Sequence, residues 1–174
     1  MPLLLLLATA LSLVPASSAL ASNTGPVSTA ASPDNAYADK VEAAWTVAQS
    51  TSLGYSEILT AWEGQDQLGL EAMYVALSNL GASYSYASRG PSFDCSGLTG
   101  HAWAAVGVEL GNNSSVQNRS TVPSPRVPGA LVYRPGHIAM SLGVEDYVIH
   151  AASSSTGVII SRMPAGSVTY PEIP

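Results

Sequence analysis

Acyl transfer needs a nucleophile, a base and donors for the oxyanion. The side chains here best suited to those parts are one thiol, Cys95, and three imidazoles, His101, His137 and His150. Cys95 stands in the segment Phe93-Asp94-Cys95-Ser96-Gly97-Leu98. Asp94 is a strong N-cap type, so the pattern predicts a helix opening here with Cys95 in its first turn. The partial positive charge of a helix start favours thiolate, the attacking form. Gly97 keeps the surroundings small, so a substrate backbone can come close. With one cysteine, no disulfide can form within the chain. A buried, inert thiol is the competing reading until a partner is found for it.

The histidines are sorted by geometry. His101 follows Cys95 by six residues on the same expected helix, a rotation of about 600°, so it points elsewhere and reads as surface or structural. His137 and His150 flank Gly143-Val144-Glu145-Asp146, a credible hairpin turn. Symmetric closure sets Leu142 opposite Tyr147 and Ala139 opposite His150. His137 then shares the face of Ala139 and becomes a diagonal neighbour of His150, with Cα atoms roughly 7–8 Å apart. One ring can then orient the other, as a third group orients the base of a triad. A one-residue bulge would undo this. Zinc fits poorly, because no two candidate ligands have the close spacing of a metal site; no metal and no cofactor are expected.

These groups must be held by both helices and strands. Val41, Ala44, Trp45 and Ala48 mark a helix within 37–48, Ile58, Leu59 and Trp62 a second within 56–62, and Leu70, Met73, Tyr74, Leu77 and Leu80 a third within 68–80, capped by Gly81. Residues 84–92 read as an irregular loop, 96–106 as a helix and 111–129 as a long polar connection. Residues 131–133, 137–142, 147–151 and 158–161 read as strands. Helices first and strands afterwards argue for an α+β fold with an antiparallel sheet.

Composition narrows the partners. The net charge is -6 with no basic patch, which argues against nucleic acid. Only 10% of residues are charged, and small residues fill the difference. Leu3 to Val14 is almost wholly apolar and is followed by Ala19-Leu20-Ala21, the pattern of an export signal cut after Ala21. That run is short for a membrane span, so stable insertion is not expected. The expected organisation is a signal peptide at 1–21, a linker at 22–35, a helical N-terminal segment at 36–66 and the reactive domain at 67–174. Trp45, Ile58 and Trp62 should pack the helical segment on that domain, either as a brace or as a cover over the cleft.

Tyr84-Ser85-Tyr86, the block around Cys95, Gly136-His137-Ile138-Ala139-Met140-Ser141-Leu142-Gly143 and Val148-Ile149-His150-Ala151 together resemble the NlpC-type cell-wall peptidases. The resemblance covers about residues 68–165. It implies a papain-like core with the nucleophile's helix packed on an antiparallel sheet. It also implies Cys95 as nucleophile, His137 as general base and acid, and His150 as the polar residue that orients His137. Tyr84 would be the loop tyrosine near the thiol, with Asp94 and Ser96 shaping the pocket. The implied substrate is the peptidoglycan stem peptide, cut between D-glutamate and a diamino acid; from the export segment a secreted protein is expected, and a monomer. Amidase or acyl-transferase chemistry on the same fold, or a wall-binding protein without catalysis, are the alternatives. Ala87-Ser88 replaces the family's Gly-Gly pair, Ala130 replaces an acidic residue, and the connection from Leu131 to His137 is short. Binding of a substrate amine would then fall to Asp94, Glu145 or backbone groups.

Overall fold

Apolar residues at helical spacing bury one stripe, and alternating residues bury one face of a strand. A computed structural model describes residues 33–173 and turns these patterns into helices α1 (Pro33–Ser50), α2 (Tyr55–Ala61), α3 (Gln67–Leu77), α4 (Cys95–Ala105) and α5 (Ser114–Arg119). The strands are β1 (Val122–Pro123), β2 (Pro128–Arg134), β3 (His137–Leu142), β4 (Tyr147–Ser153), β5 (Gly157–Arg162) and β6 (Ser167–Tyr170). The expected export signal lies outside the described residues, as does most of the linker. The linker's last three positions, 33–35, are helical instead, because Pro33 at a first helical position sacrifices no hydrogen bond.

The strands form one antiparallel sheet in the order β1-β6-β2-β3-β4-β5. One face carries Leu131, Ile138, Met140, Leu142 and Ile149 against α3 and α4. The other carries Val132, Ala139 and Val148, which pack with Met163 and Val168. Backbone contact fixes the helix layer closely: a Cβ on Gly129, where φ is +82°, would lie 2.6 Å from the Gly69 carbonyl. The Trp103 indole on α4 donates to the Gly129 carbonyl at 3.2 Å, so the helix of Cys95 is pinned to β2.

Two stretches differ from expectation. The connection at 111–129 contains α5 and β1, and β6 closes the sheet on the far side of β2. A six-residue helix with a polar buried residue, Gln117, has no apolar period to read. Trp45 is 58% exposed rather than buried, meeting Tyr55 edge-on at 5.8 Å. Ala43, Ala44 and Val47 supply the buried stripe in its place.

The helical N-terminal segment packs away from the expected cleft. Trp62 is buried and its indole donates to the Leu142 carbonyl at 2.6 Å, while the Ser52 hydroxyl meets that of Tyr147 at 3.4 Å. Leu142 ends β3 five residues beyond His137, or roughly 17 Å of strand. The described contacts of this segment are those of a brace. Among the described residues, no helix is long and apolar enough to cross a membrane.

Candidate active site

The setting of Cys95 begins with Asp94. Its Oδ1 accepts the Gly97 N–H at 2.6 Å and the Ser96 hydroxyl at 3.1 Å, capping α4 as the sequence predicts. Its Oδ2 accepts the Ala87 N–H at 2.7 Å, which ties the preceding loop to the helix start. That loop also pairs with Phe93: the Phe93 N–H donates to Ser83 at 3.0 Å and the Ser85 N–H to Phe93 at 3.0 Å. Phe93 is buried, so Tyr84 is carried on a segment anchored beside Cys95. Gly97 is obligatory for this packing, because a Cβ there would sit 1.9 Å from the Ser88 carbonyl oxygen.

The second half of the site comes from the sheet. Met140 pairs with Ile149 and Ser141 with Val148, which is the symmetric register expected for this hairpin. The His137 and His150 rings meet at 2.7 Å between Nε2 and Nδ1. The contact continues one strand further: His150 Nε2 lies 2.9 Å from the Ser161 hydroxyl. His150 pairs with Ile159 and Val148 with Ser161, so Ser161 is diagonal to His150 as His150 is to His137. In the tautomer where His137 Nε2–H donates to His150 and His150 Nε2–H donates to Ser161, the Nδ1 lone pair of His137 is left free to accept a proton. The Ile138 backbone N–H reaches the Cys95 sulfur, which sets the thiol at the start of β3 beside His137.

Burial sets the charges. It pushes the Cys95 thiol up and the neighbouring Asp94 carboxylate adds to this, while the N–H groups of Ile138, Ser96 and Cys95 oppose it. The expected thiolate is therefore not the form that the free site favours. Burial also lowers His137, with Arg134 adding to the effect. His150 falls to about 4 through burial, His137 and Arg134, in that order. Both shifts favour the uncharged forms, a neutral thiol and a neutral imidazole. Burial raises the Tyr84 phenol, and Cys95 and Asp94 reinforce the shift, so it stays protonated as a donor.

These lowered imidazoles link stability to pH. The unfolded chain binds more protons below pH 6.5, so stability is full above that value and falls toward pH 4. For His150 at about 4 the loss is of order 2–3 kcal/mol. Urea midpoints measured from pH 7 to pH 4 should show this decline, and His150→Asn should flatten it. An equal decline in the variant would place the sensitivity elsewhere.

Comparison with known proteins places this architecture. The profile of the NlpC/P60 family matches residues 81–171, just over half of the chain. The chain belongs to the NlpC/P60 family. Over 67 residues it is 40% identical to a protein of Listeria grayi described as "Probable endopeptidase p60", a stretch that is 36% of this chain and 13% of that relative. The P60 domain of an antigen from M. avium subspecies paratuberculosis is 28% identical with TM-score 0.50, over 59% of this chain and 90% of that one. NlpC2 from Trichomonas vaginalis, 23% identical, has the same fold at TM-score 0.54, over 63% of this chain and 49% of that one.

In this NlpC/P60 domain, Cys95, Tyr84, His137 and His150 converge. Asp94 and Ser96 do so in a supporting part, since both Asp94 oxygens are already occupied and buried. Glu145 does not join them. It lies in the β3–β4 turn, at the end of the strand remote from His137, and pairs with Arg162 at 2.9 Å. His101 stands apart, its ring 5.3 Å from that of Phe93. Two neighbours of these residues escape the sequence reading. Ser161 is hidden by a register shift between Ala151 and Ser153: closing the second hairpin from its Ser153–Gly157 pair without that bulge would turn Ser161 to the other face. Gln117 is fully buried, donates to the Ser96 and Gly111 carbonyls at 2.9 Å each and accepts from Thr99 at 2.7 Å, so α5 locks the first turn of α4. A cavity of about 420 Å³ opens beside this turn, lined by Ala87, Arg89, Asp94, Gly97 and Asn112. A groove of about 440 Å³ between α1, α3 and the end of α4 lies at Val106, the other end of the helix from Cys95.

Proposed function

We propose that this protein is a secreted cysteine endopeptidase that hydrolyses peptidoglycan stem peptides at the bond between D-glutamate and a diamino acid. The observation that carries the reading is the 2.7 Å contact between His137 Nε2 and His150 Nδ1 beside the Cys95 thiol. It commits one ring nitrogen of His137 and leaves the other for proton transfer. Membership of the NlpC/P60 family and the endopeptidase description of the Listeria grayi relative support the substrate class.

In the proposed cycle, His137 Nδ1 takes the thiol proton as sulfur attacks the scissile carbonyl. The Cys95 N–H and the Tyr84 hydroxyl receive the oxyanion. His137 returns the proton to the leaving amine, and a thioester remains on Cys95. Water, deprotonated by His137, attacks the thioester and releases the acid. His150 holds the His137 ring and shares the positive charge as it forms, with Ser161 holding His150 in turn. The enzyme acts as a monomer on the wall, with no cofactor.

Digesting purified wall and identifying the fragments by mass tests this. New carboxyl termini at D-glutamate with matching diamino-acid amines are expected. Release of whole stem peptides from the sugar would make the protein an amidase, and an undigested wall would leave a binding role.

A further inference from the structure

We propose that Gln117 is a positioning residue for the thiol of Cys95, acting through the peptide group between Ser96 and Gly97. This rests on the proposed hydrolysis and adds to the same site a member that works at one remove from the sulfur.

Gln117 is fully buried, and its amide is occupied at both ends. Nε2 donates to the Ser96 and Gly111 carbonyls at 2.9 Å each, and Oε1 accepts from the Thr99 hydroxyl at 2.7 Å. Two carbonyls face one end, which fixes that end as the nitrogen. The Gly111 carbonyl also accepts from Arg89 at 3.3 Å, and Arg89 reaches the Asn112 side chain at 2.7 Å. Arg89 belongs to the loop that carries Tyr84, so one amide stands between that loop's footing and the first turn of α4.

The Ser96 carbonyl shares a planar peptide group with the Gly97 N–H. That N–H donates to Asp94 Oδ1 at 2.6 Å. The Gln117 amide, the peptide group and the Asp94 carboxylate are therefore links of one hydrogen-bonded chain, each polarising the next. The chain ends at the charge that bears on the sulfur: Asp94 pushes the Cys95 thiol up, while the Ser96 and Cys95 N–H groups pull it down. A peptide group released from Gln117 turns its N–H from Asp94 as well, and leaves that charge less covered beside the thiol. Tyr84 from the loop and His137 from β3 are the other titratable groups there, and Gln117 hydrogen-bonds to neither.

Cys95 is the sole cysteine of the chain, so alkylation by iodoacetamide reads its thiol without any substrate. Gln117→Leu should slow alkylation at pH 7 about fivefold and move its midpoint to higher pH. It should lower kcat on wall peptide about tenfold with KM nearly unchanged. Ile58→Val trims a buried residue of α2, away from the site, and should leave both rates within about twofold. Gln117→Met, an unbranched side chain of similar size, repeats the comparison if the leucine variant does not fold. An unmoved midpoint in a folded Gln117 variant overturns the inference whether or not wall peptide is cleaved, as does an equal slowing in Ile58→Val. If the wild type cleaves no wall peptide but the Gln117 variant still moves the midpoint, the positioning stands and the proposed hydrolysis fails.

Discussion

Cys95→Ala should abolish hydrolysis of wall peptide, a loss of about 10⁴-fold or more, while the protein stays folded. The thiol is half-buried on α4, and its replacement removes one sulfur without disturbing the cap made by Asp94. The other members of the relay should follow in order of distance from the sulfur. His137→Ala removes the base and should approach the Cys95→Ala loss. His150→Ala leaves the base in place but frees its ring, and should cost about 10²-fold. Ser161→Ala should cost least, since it only loosens the 2.9 Å contact to His150. Because both imidazoles are lowered, the acid limb of kcat/KM should lie below pH 6.5. Steady-state rates from pH 4 to 9 check the order and the limb together. Wild-type turnover by the Cys95→Ala protein would exclude Cys95 as nucleophile, and an acid limb well above 6.5 would contradict the neutral resting pair.

Asp94→Ala should be the most damaging polar substitution for stability, at about 3 kcal/mol, or roughly 10 °C in thermal midpoint. The carboxylate caps α4 through Gly97, holds the Ser96 hydroxyl, and fastens the Tyr84 loop through Ala87. Removing it strands the buried Gly97 N–H and the part-buried Ala87 N–H. Asp94→Asn keeps one acceptor for Gly97 but turns a donor toward the Ala87 N–H, so it should recover only part of the loss. Thermal unfolding of the two variants measures this. An alanine variant as stable as the parent would show that water or another group satisfies those donors.

The same aspartate shows how far the sequence reaches. Its type and place before Cys95 predict the cap, which is a local hydrogen bond three residues long. Its second oxygen goes to Ala87, seven residues back, and no periodicity points there. The expectation that a substrate amine falls to Asp94, Glu145 or backbone groups meets the same limit. Asp94 already accepts three hydrogen bonds within the fold, and Glu145 belongs to a turn at the end of β3 remote from His137. The exposed Trp45 illustrates the limit of composition: an aromatic residue near a helical stripe is buried only if a neighbour arrives to cover it, and here Ala43, Ala44 and Val47 face the core.

The sequence by itself determined the local chemistry: a lone thiol at a capped helix start, two histidines brought together by the register of one hairpin, and the α+β order of elements. Each depends on spacing along a short piece of chain, where turn length and the two-residue repeat of a strand leave little choice. Only the tertiary structure decided what surrounds that chemistry. It extended the histidine pair to Ser161 across a third strand, and buried Gln117 beneath the helix start. It also half-buried the thiol, which pushes its ionisation up, and set Arg134 opposite His137. Those outcomes depend on which distant segments share a face and on how much water their packing removes, because burial shifts an ionisation through every neighbour at once.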